Sequence, residues 1–314
     1  MFHRVVTEYA AGDFHPNGQF SVTPEVLADV IASLRHAGYE IVSLDEVHRR
    51  LTQGGMSRRF ACLTFDDGYR DNYEVAYPVC AQCEAPMTTY VTTGLIDGTA
   101  PAWWYGVEEL VATRKEVTLR CGEIDESFAT RTLAEKLAAY EKIASIFRSA
   151  SRPLRDSLIA DIKASCDIDI LDISSRLVMD WETLREFDRQ PGVEIGAHSL
   201  THRALKSLSE DDARHEMAES RRLLETTLGH PVRHFAYPHG DSSTTGDREA
   251  RICRDLGFAT ATTTRHGALR RDSSASMFTL PRIPTDPFDS GQTIAVKLSG
   301  LPSMIQRVRR RFRR

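Results

Sequence analysis

The sequence predicts an α/β protein in which helices alternate with short, buried, parallel strands. Three runs carry that prediction: residues 61–65 (A-C-L-T-F), 87–91 (M-T-T-Y-V) and 193–197 (V-E-I-G-A), each ending at polar chemistry. Near-continuous apolar runs of this length are what a parallel sheet covered on both faces requires. Residues 41–44, 234–237 and 259–263 are further strand candidates. Helical patterns lie between them. Residues 24–36 place apolar side chains at 26, 27, 30, 31 and 34, one face of a helix. Residues 209–228 open on Ser209 and three acids, an N-terminal cap pattern, and stop at Gly229 and Pro231. Residues 248–256 form another helix closed by Gly257. Alternating strands and helices imply βαβ units in a parallel sheet or barrel.

Residues 102–180 break this rhythm. They are polar and helix-rich, over 133–149 and 152–165, and lack clear strands. They read as a helical insertion that either lids a cleft or pads the surface. Trp103 and Trp104 open it, either packed in a core or hinge or stacked on a sugar ring. Trp181 begins the next helix, either as a packing residue or in reach of the cleft. Residues 1–300 are expected to form one domain, followed by a basic tail at 301–314.

A chain of 314 residues with 41% hydrophobic and 27% charged residues has the composition of a globular protein. Its net charge of −4 argues against nucleic-acid binding. Only the tail departs from that mean, with R-V-R-R-R-F-R-R from Arg307. Such a run is a solvated tail or touches an anionic membrane or acidic polymer. The opening M-F-H-R-V-V-T-E-Y lacks the basic and apolar regions of a signal peptide, and no stretch approaches the roughly 20 apolar residues of a membrane span. The expectation is a cytoplasmic protein. Six scattered cysteines include one C-x-x-C, Cys80 and Cys83, in a helical frame with no second pair to complete a zinc site. They read as plain thiols.

Two strand ends carry chemistry. Residues 60–68, F-A-C-L-T-F-D-D-G, finish an apolar run on two adjacent carboxylates, Asp66 and Asp67. Asp-Gly is ordinary turn chemistry, but an ionised carboxylate aimed into apolar packing needs a cation or donors. Residues 193–202, V-E-I-G-A-H-S-L-T-H, place His198 and His202 four apart where a strand passes to helix or loop. On a helical turn that spacing puts both imidazoles on one face. In parallel barrels catalytic groups gather at the C-terminal strand ends, so the two sites are expected to meet. Two histidines and one carboxylate leave positions open on a divalent metal, as catalytic sites do. The second carboxylate is then free to take a proton from water, which together hydrolyses an amide or ester.

T-F-D-D-G followed by H-S-L-T-H resembles the NodB-homology polysaccharide deacetylases, carbohydrate esterase family four. M-F-H-R-V is similar to that family's opening strand, and G-Y-E-I-V-S-L-D-E-V to its next helix-to-strand passage. G-H-P-V-R-H-F-A-Y-P-H-G-D resembles the third motif of the exopolysaccharide branch. The resemblance implies a distorted (β/α) barrel of about seven strands. It also implies metal-dependent N-deacetylation of GlcNAc-containing polysaccharide, oligosaccharide or conjugate, chitooligosaccharides included. Zn²⁺ is the expected ion, with Co²⁺ as substitute. Asp66 becomes the general base, and Asp67, His198 and His202 the metal ligands. The backbone of Tyr237, Pro238 and His239 helps bind the oxyanion.

The sequence departs from the family pattern twice. Ala236 stands where an arginine usually orients the catalytic aspartate, and Arg282, in L-P-R-I-P, is the candidate replacement from a later strand end. No histidine follows residue 266, so the general acid falls to His266 or His239. His3 reads as a supporting core-edge histidine. Two other activities fit the same residues: a catalytically weak carbohydrate-binding relative, or an amidohydrolase on a non-sugar amide.

Overall fold

The computed structural model describes residues 1–8, 12–53, 58–269 and 277–298. In chain order, β1 (Arg4–Val5) and β2 (Ser21–Val22) precede α1 (Pro24–His36), β3 (Tyr39–Ile41), α2 (Leu44–Gln53), β4 (Arg59–Ala61) and β5 (Leu63–Phe65). Next come α3 (Tyr77–Gln82), β6 (Met87–Val91), α4 (Thr93–Ile96) and α5 (Trp103–Thr113). The hairpin β7 (Glu116–Cys121) and β8 (Ile124–Ala129) leads into α6 (Leu133–Ser149), α7 (Arg152–Cys166), α8 (Ile170–Leu177) and α9 (Trp181–Asp188). The chain then runs through β9 (Val193–Ala197), α10 (Glu210–Leu228), β10 (His234–Ala236), α11 (Asp247–Asp255), β11 (Thr260–His266), β12 (Leu280–Arg282) and α12 (Gly291–Leu298).

Among the described residues the main sheet has six parallel strands in the order β12-β11-β10-β9-β6-β5. Each strand lies beside its successor in that sheet, so the sheet winds one way and curls into a half-barrel. The N-terminal segment pairs along its open seam. Phe2 N–H donates to Thr64 O (2.8 Å), Asp66 N–H to Phe2 O (3.0 Å), and Thr285 N–H to Met1 O (3.0 Å). With that segment counted, the family's expected seven strands are approached. The main core packs helix side chains such as Leu27 and Ile31 against Phe65, Met87, Ile195 and Phe235 of the sheet.

Local chemistry explains the helix limits. Thr23 caps α1 at Val26 N–H with Pro24 in its first turn, and Ser209 caps α10, which ends on Gly229 in the left-handed region. Cys80 and Cys83 are free thiols at α3. Gly196 has a steric reason: a Cβ there would lie 2.5 Å from the Tyr90 ring.

The insertion has a core of its own, built on Val107, Leu110, Phe147, Leu158 and Ile162. It also contains two strands that the sequence pattern does not reveal. β7 and β8 pair antiparallel, burying Val117, Leu119 and Phe128 while Glu116, Arg120 and Asp125 face outward. One face of so short a hairpin is charged, which hides its strands in a pattern that reads as polar. The 61–65 run also divides: β4 pairs with β3, β5 joins the main sheet, and Cys62 separates them. No described helix is long and apolar enough to cross a membrane. The basic run from Arg307 lies outside the described residues.

Candidate active site

The C-terminal strand ends deliver the site. At the end of β5, Asp67 has φ 76° and Gly68 φ 83°. Left-handed backbone at a non-glycine residue is costly, and here it ends the strand's alternation at the first carboxylate. Asp66 and Asp67 then line one cavity of about 400 Å³, with His3, Trp104, Arg148, His198, His202 and His239 among its other lining residues.

His198 leaves β9 directly, its N–H held by Val91 O at 2.9 Å. The histidine pair is not helical. Ser199 and His202 both sit in the left-handed region (φ 65° and 54°), and the intervening loop is pinned from outside. Glu216 of α10 accepts from Leu200 N–H (3.0 Å), Thr201 N–H (2.7 Å) and the Thr201 hydroxyl. His202 N–H donates to Ser199 Oγ at 3.1 Å.

His198 Nδ1–H donates to the Ala236 carbonyl (2.7 Å), which leaves the lone pair of the neutral ring on Nε2. Burial first, and the neighbouring His202 with it, lowers the His198 pKa to about 4 against the pull of Asp66, so the ring is neutral at pH 7. His198 Nε2 and His202 Nε2 lie 3.5 Å and 3.2 Å from Asp67 Oδ1, and that buried oxygen has no hydrogen-bond partner. Three donor atoms within 4.8 Å of one another converge without satisfying each other. An unspent buried carboxylate oxygen and a neutral imidazole are the donor chemistry of a divalent ion. These residues fit one.

Arg282, at the end of β12, grips Asp66 with two parallel hydrogen bonds, Nη1 to Oδ1 at 2.6 Å and Nη2 to Oδ2 at 2.7 Å. Its Nε–H donates to Thr263 O at 3.0 Å, fixing the fork. Burial would raise the Asp66 pKa, but the guanidinium and His198 outweigh it and hold the carboxylate below its ordinary range. The residue that the sequence offered in place of the missing arginine therefore touches Asp66.

The other expectations separate. Tyr237 N–H donates to Thr262 O (3.1 Å), its hydroxyl to Phe278 O (2.9 Å), and Pro238 has no N–H. That leaves the His239 amide as the backbone donor of the three. The His239 ring, solvent-accessible at 5.0 Å from His202, lines the cavity. Surrounding protein first, then His202, pushes its pKa down to about 3. His266 does not line the cavity. It lies opposite Arg282 in the β11–β12 register.

His3 also lines the cavity. No described residue forms a hydrogen bond to its ring, which stands 5.0 Å from Phe20. Burial lowers its pKa, while Asp66 and Asp67 pull the other way. Its place follows from the pairing of Phe2 with Phe65 across the seam, which no local pattern reveals. Trp104 Nε1–H donates to Tyr69 Oη at 3.1 Å, and its ring lies 5.2 Å from His202. Trp103 instead stacks on Phe147 in the insertion core. Trp181 donates Nε1–H to Asp97 (2.6 Å) and packs against the main core.

A family model described as polysaccharide deacetylase matches residues 53–121 and 128–261, more than half of the chain. YxkH of Bacillus subtilis (strain 168), whose own deacetylase assignment is provisional, is 21% identical over 269 residues, covering 85% of this chain and 67% of YxkH. Similar folds occur in the Streptococcus pyogenes deacetylase PplD, solved with acetate (TM-score 0.62, 19% identity, 94% of this chain and 95% of that one). IcaB from Ammonifex degensii is also similar (TM-score 0.56, 17% identity, 94% and 96%). So is a de-N-acetylase from Aggregatibacter actinomycetemcomitans (TM-score 0.58, 13% identity, 94% and 97%). The chain belongs to the polysaccharide deacetylase family.

Proposed function

We propose that this chain is a divalent-metal-dependent hydrolase that removes N-acetyl groups from a GlcNAc-containing polysaccharide, oligosaccharide or sugar conjugate. The observation that carries the reading is the pairing of two unlike aspartates in one cavity. Asp66 is clamped by Arg282, and Asp67 Oδ1 is unspent beside two histidine Nε2 atoms. Asp67, His198 and His202 would hold the ion, Zn²⁺ or Co²⁺ by the chemistry of the donors. A bound ion there supplies Lewis acidity, polarising a carbonyl and making a water more acidic.

The chain's own residues account for the proton movements. Asp66, kept ionised and in one orientation by Arg282, accepts the proton of the attacking water. As the water oxygen bonds the acetyl carbon, negative charge grows on the carbonyl oxygen. The His239 N–H is the available backbone donor for it. His3 delivers a proton to the amine nitrogen as the C–N bond breaks, releasing acetate and a free amino sugar. A histidine with a lowered pKa is a strong donor once protonated. His239, with its ring in the same cavity, is the alternative donor. The insertion at 102–180, within a domain spanning 1–300, walls the cavity with Trp104 and Tyr140.

Acetate release from chitooligosaccharides with added Zn²⁺ or Co²⁺ tests the reading. The metal-loaded protein should release acetate, and Asp66→Asn should reduce kcat by about 10²–10⁴. Turnover of small amides with every acetylated sugar left intact would overturn it.

A further inference from the structure

The insertion gives the cavity a wall unlike the metal side. Trp103, Trp104 and Tyr140 line it with aromatic surface, and Arg148, in the last turn of α6, is the arginine among the described lining residues. The ion-pair partner of Arg148 is Glu141, 3.5 Å away, with the two side chains 46% and 71% exposed. A long, solvated pair of this kind contributes little, so the guanidinium is open to a stronger partner.

Two further arginines stand behind Arg148. Arg155, near the start of α7, donates Nη2–H to Phe147 O at 2.9 Å, the carbonyl just before Arg148. Arg155 is only 9% exposed, and its Nε–H has no hydrogen-bond partner. Arg203, next to His202, is near enough to act on Arg155 as a like charge. Glu216 and Asp156 act on Arg155 in the opposite sense, and Glu216 gives its hydrogen bonds to Leu200 and Thr201 rather than to either arginine. Neither Arg155 nor Arg203 forms an ion pair with a described carboxylate. The cavity's own carboxylates are Asp66 and Asp67 on the metal side and Asp241, and none of them forms an ion pair with Arg148.

We propose that the insertion wall is an oxyanion subsite, in which Arg148 binds a phosphoryl or carboxylate group carried by the N-acetylated sugar. Arg155 and Arg203 strengthen the positive field behind it, and the aromatic surface takes the face of the sugar ring. The sugar part of this inference rests on the deacetylase reading, whereas the anion part does not.

The test is calorimetric binding of GlcNAc, GlcNAc-1-phosphate and N-acetylmuramic acid to the full chain at low salt, with and without EDTA. Wild type should bind at least one anionic sugar about tenfold or more tightly than GlcNAc, and rising salt should erode that preference. Arg148→Gln should cut the preference about tenfold, and Arg148→Lys should restore part of it. The phosphate and carboxylate arms identify the group recognised. An anion can also ligate an ion held by Asp67, so the deciding comparison is wild type against Arg148→Gln in EDTA. No preference for either anionic sugar, or one that Arg148→Gln leaves intact, overturns the subsite. Failure to release acetate from any sugar would sink the deacetylase reading while these affinities still decided the subsite.

Discussion

The half-barrel carries two clusters of like composition at opposite ends of its strands. Asp67, His198 and His202 stand at the C-terminal ends; Asp45, Glu194 and His234 stand near the N-terminal ends of β9 and β10. Each brings three nitrogen or oxygen donors within 4.8 Å of one another. In the first, Asp67 Oδ1 is unspent and His198 is neutral. In the second, every group is engaged. Glu194 accepts from Leu44 N–H (2.8 Å), Asp45 N–H (3.0 Å) and Thr88 Oγ1–H (2.7 Å). His234 Nε2 lies 3.1 Å from Asp45 and 3.5 Å from Glu194, its Nδ1 is 2.8 Å from Thr260 Oγ1, and Arg233 also holds Asp45. Burial alone would lower the His234 pKa, but the two carboxylates outweigh it and raise it. The lower cluster is thus a latch that ties the N-terminus of α2 to β9 and β10. Unspent donors, rather than residue types, distinguish a site from a staple.

The largest expected effect breaks the upper cluster. Asp67→Asn or EDTA treatment should lower kcat/KM for acetate release by at least about 10²-fold, because the polarising charge is lost. Added Zn²⁺ should restore the EDTA-treated protein and not the variant. Next is Arg282→Gln. Removing one partner of a buried ion pair strands the other, at a cost of about 3–5 kcal/mol in denaturant unfolding. It should also raise the Asp66 pKa and move the acid limb of the pH–rate profile to higher pH.

The lower cluster should respond in stability. The folded-state pKa of His234 lies above its ordinary value of 6.5, so its contribution is complete below pH 6.5 and is lost as pH rises through the raised value. His234→Gln should cost about 1–2 kcal/mol at pH 6. The difference in Tm from wild type should shrink as pH rises above 6.5. A difference that widened instead would refute the latch.

These contrasts also show what the sequence could reveal. The strand ends were legible because apolar runs and carboxylates sit side by side in T-F-D-D-G, and caps such as Ser209 with Gly229 announce helix limits. Asp66, Asp67, His198 and His202 converge, as their places at strand ends required. His198 and His202 stand together beside Asp67, and of the helix or loop that the sequence leaves open a loop forms, which Glu216 pins from a distance and the left-handed Ser199 bends. Arg282 could be offered but not placed, because its partner lies 216 residues away. His3 depends on one bridge across the barrel seam, and the β7–β8 hairpin hides behind its charged face. Contacts between distant segments were legible where strand ends announced them and stayed hidden where a seam bridge or a remote side chain made them.

The central claim is that the upper cluster holds one catalytic ion and the lower cluster none. Elemental analysis of Zn²⁺-reconstituted, gel-filtered protein tests it directly across wild type, His198→Ala with His202→Ala, and His234→Gln. The account predicts about one equivalent in wild type and His234→Gln, and near none in the double variant. Full retention of metal by the double variant, or its loss from His234→Gln alone, would contradict it.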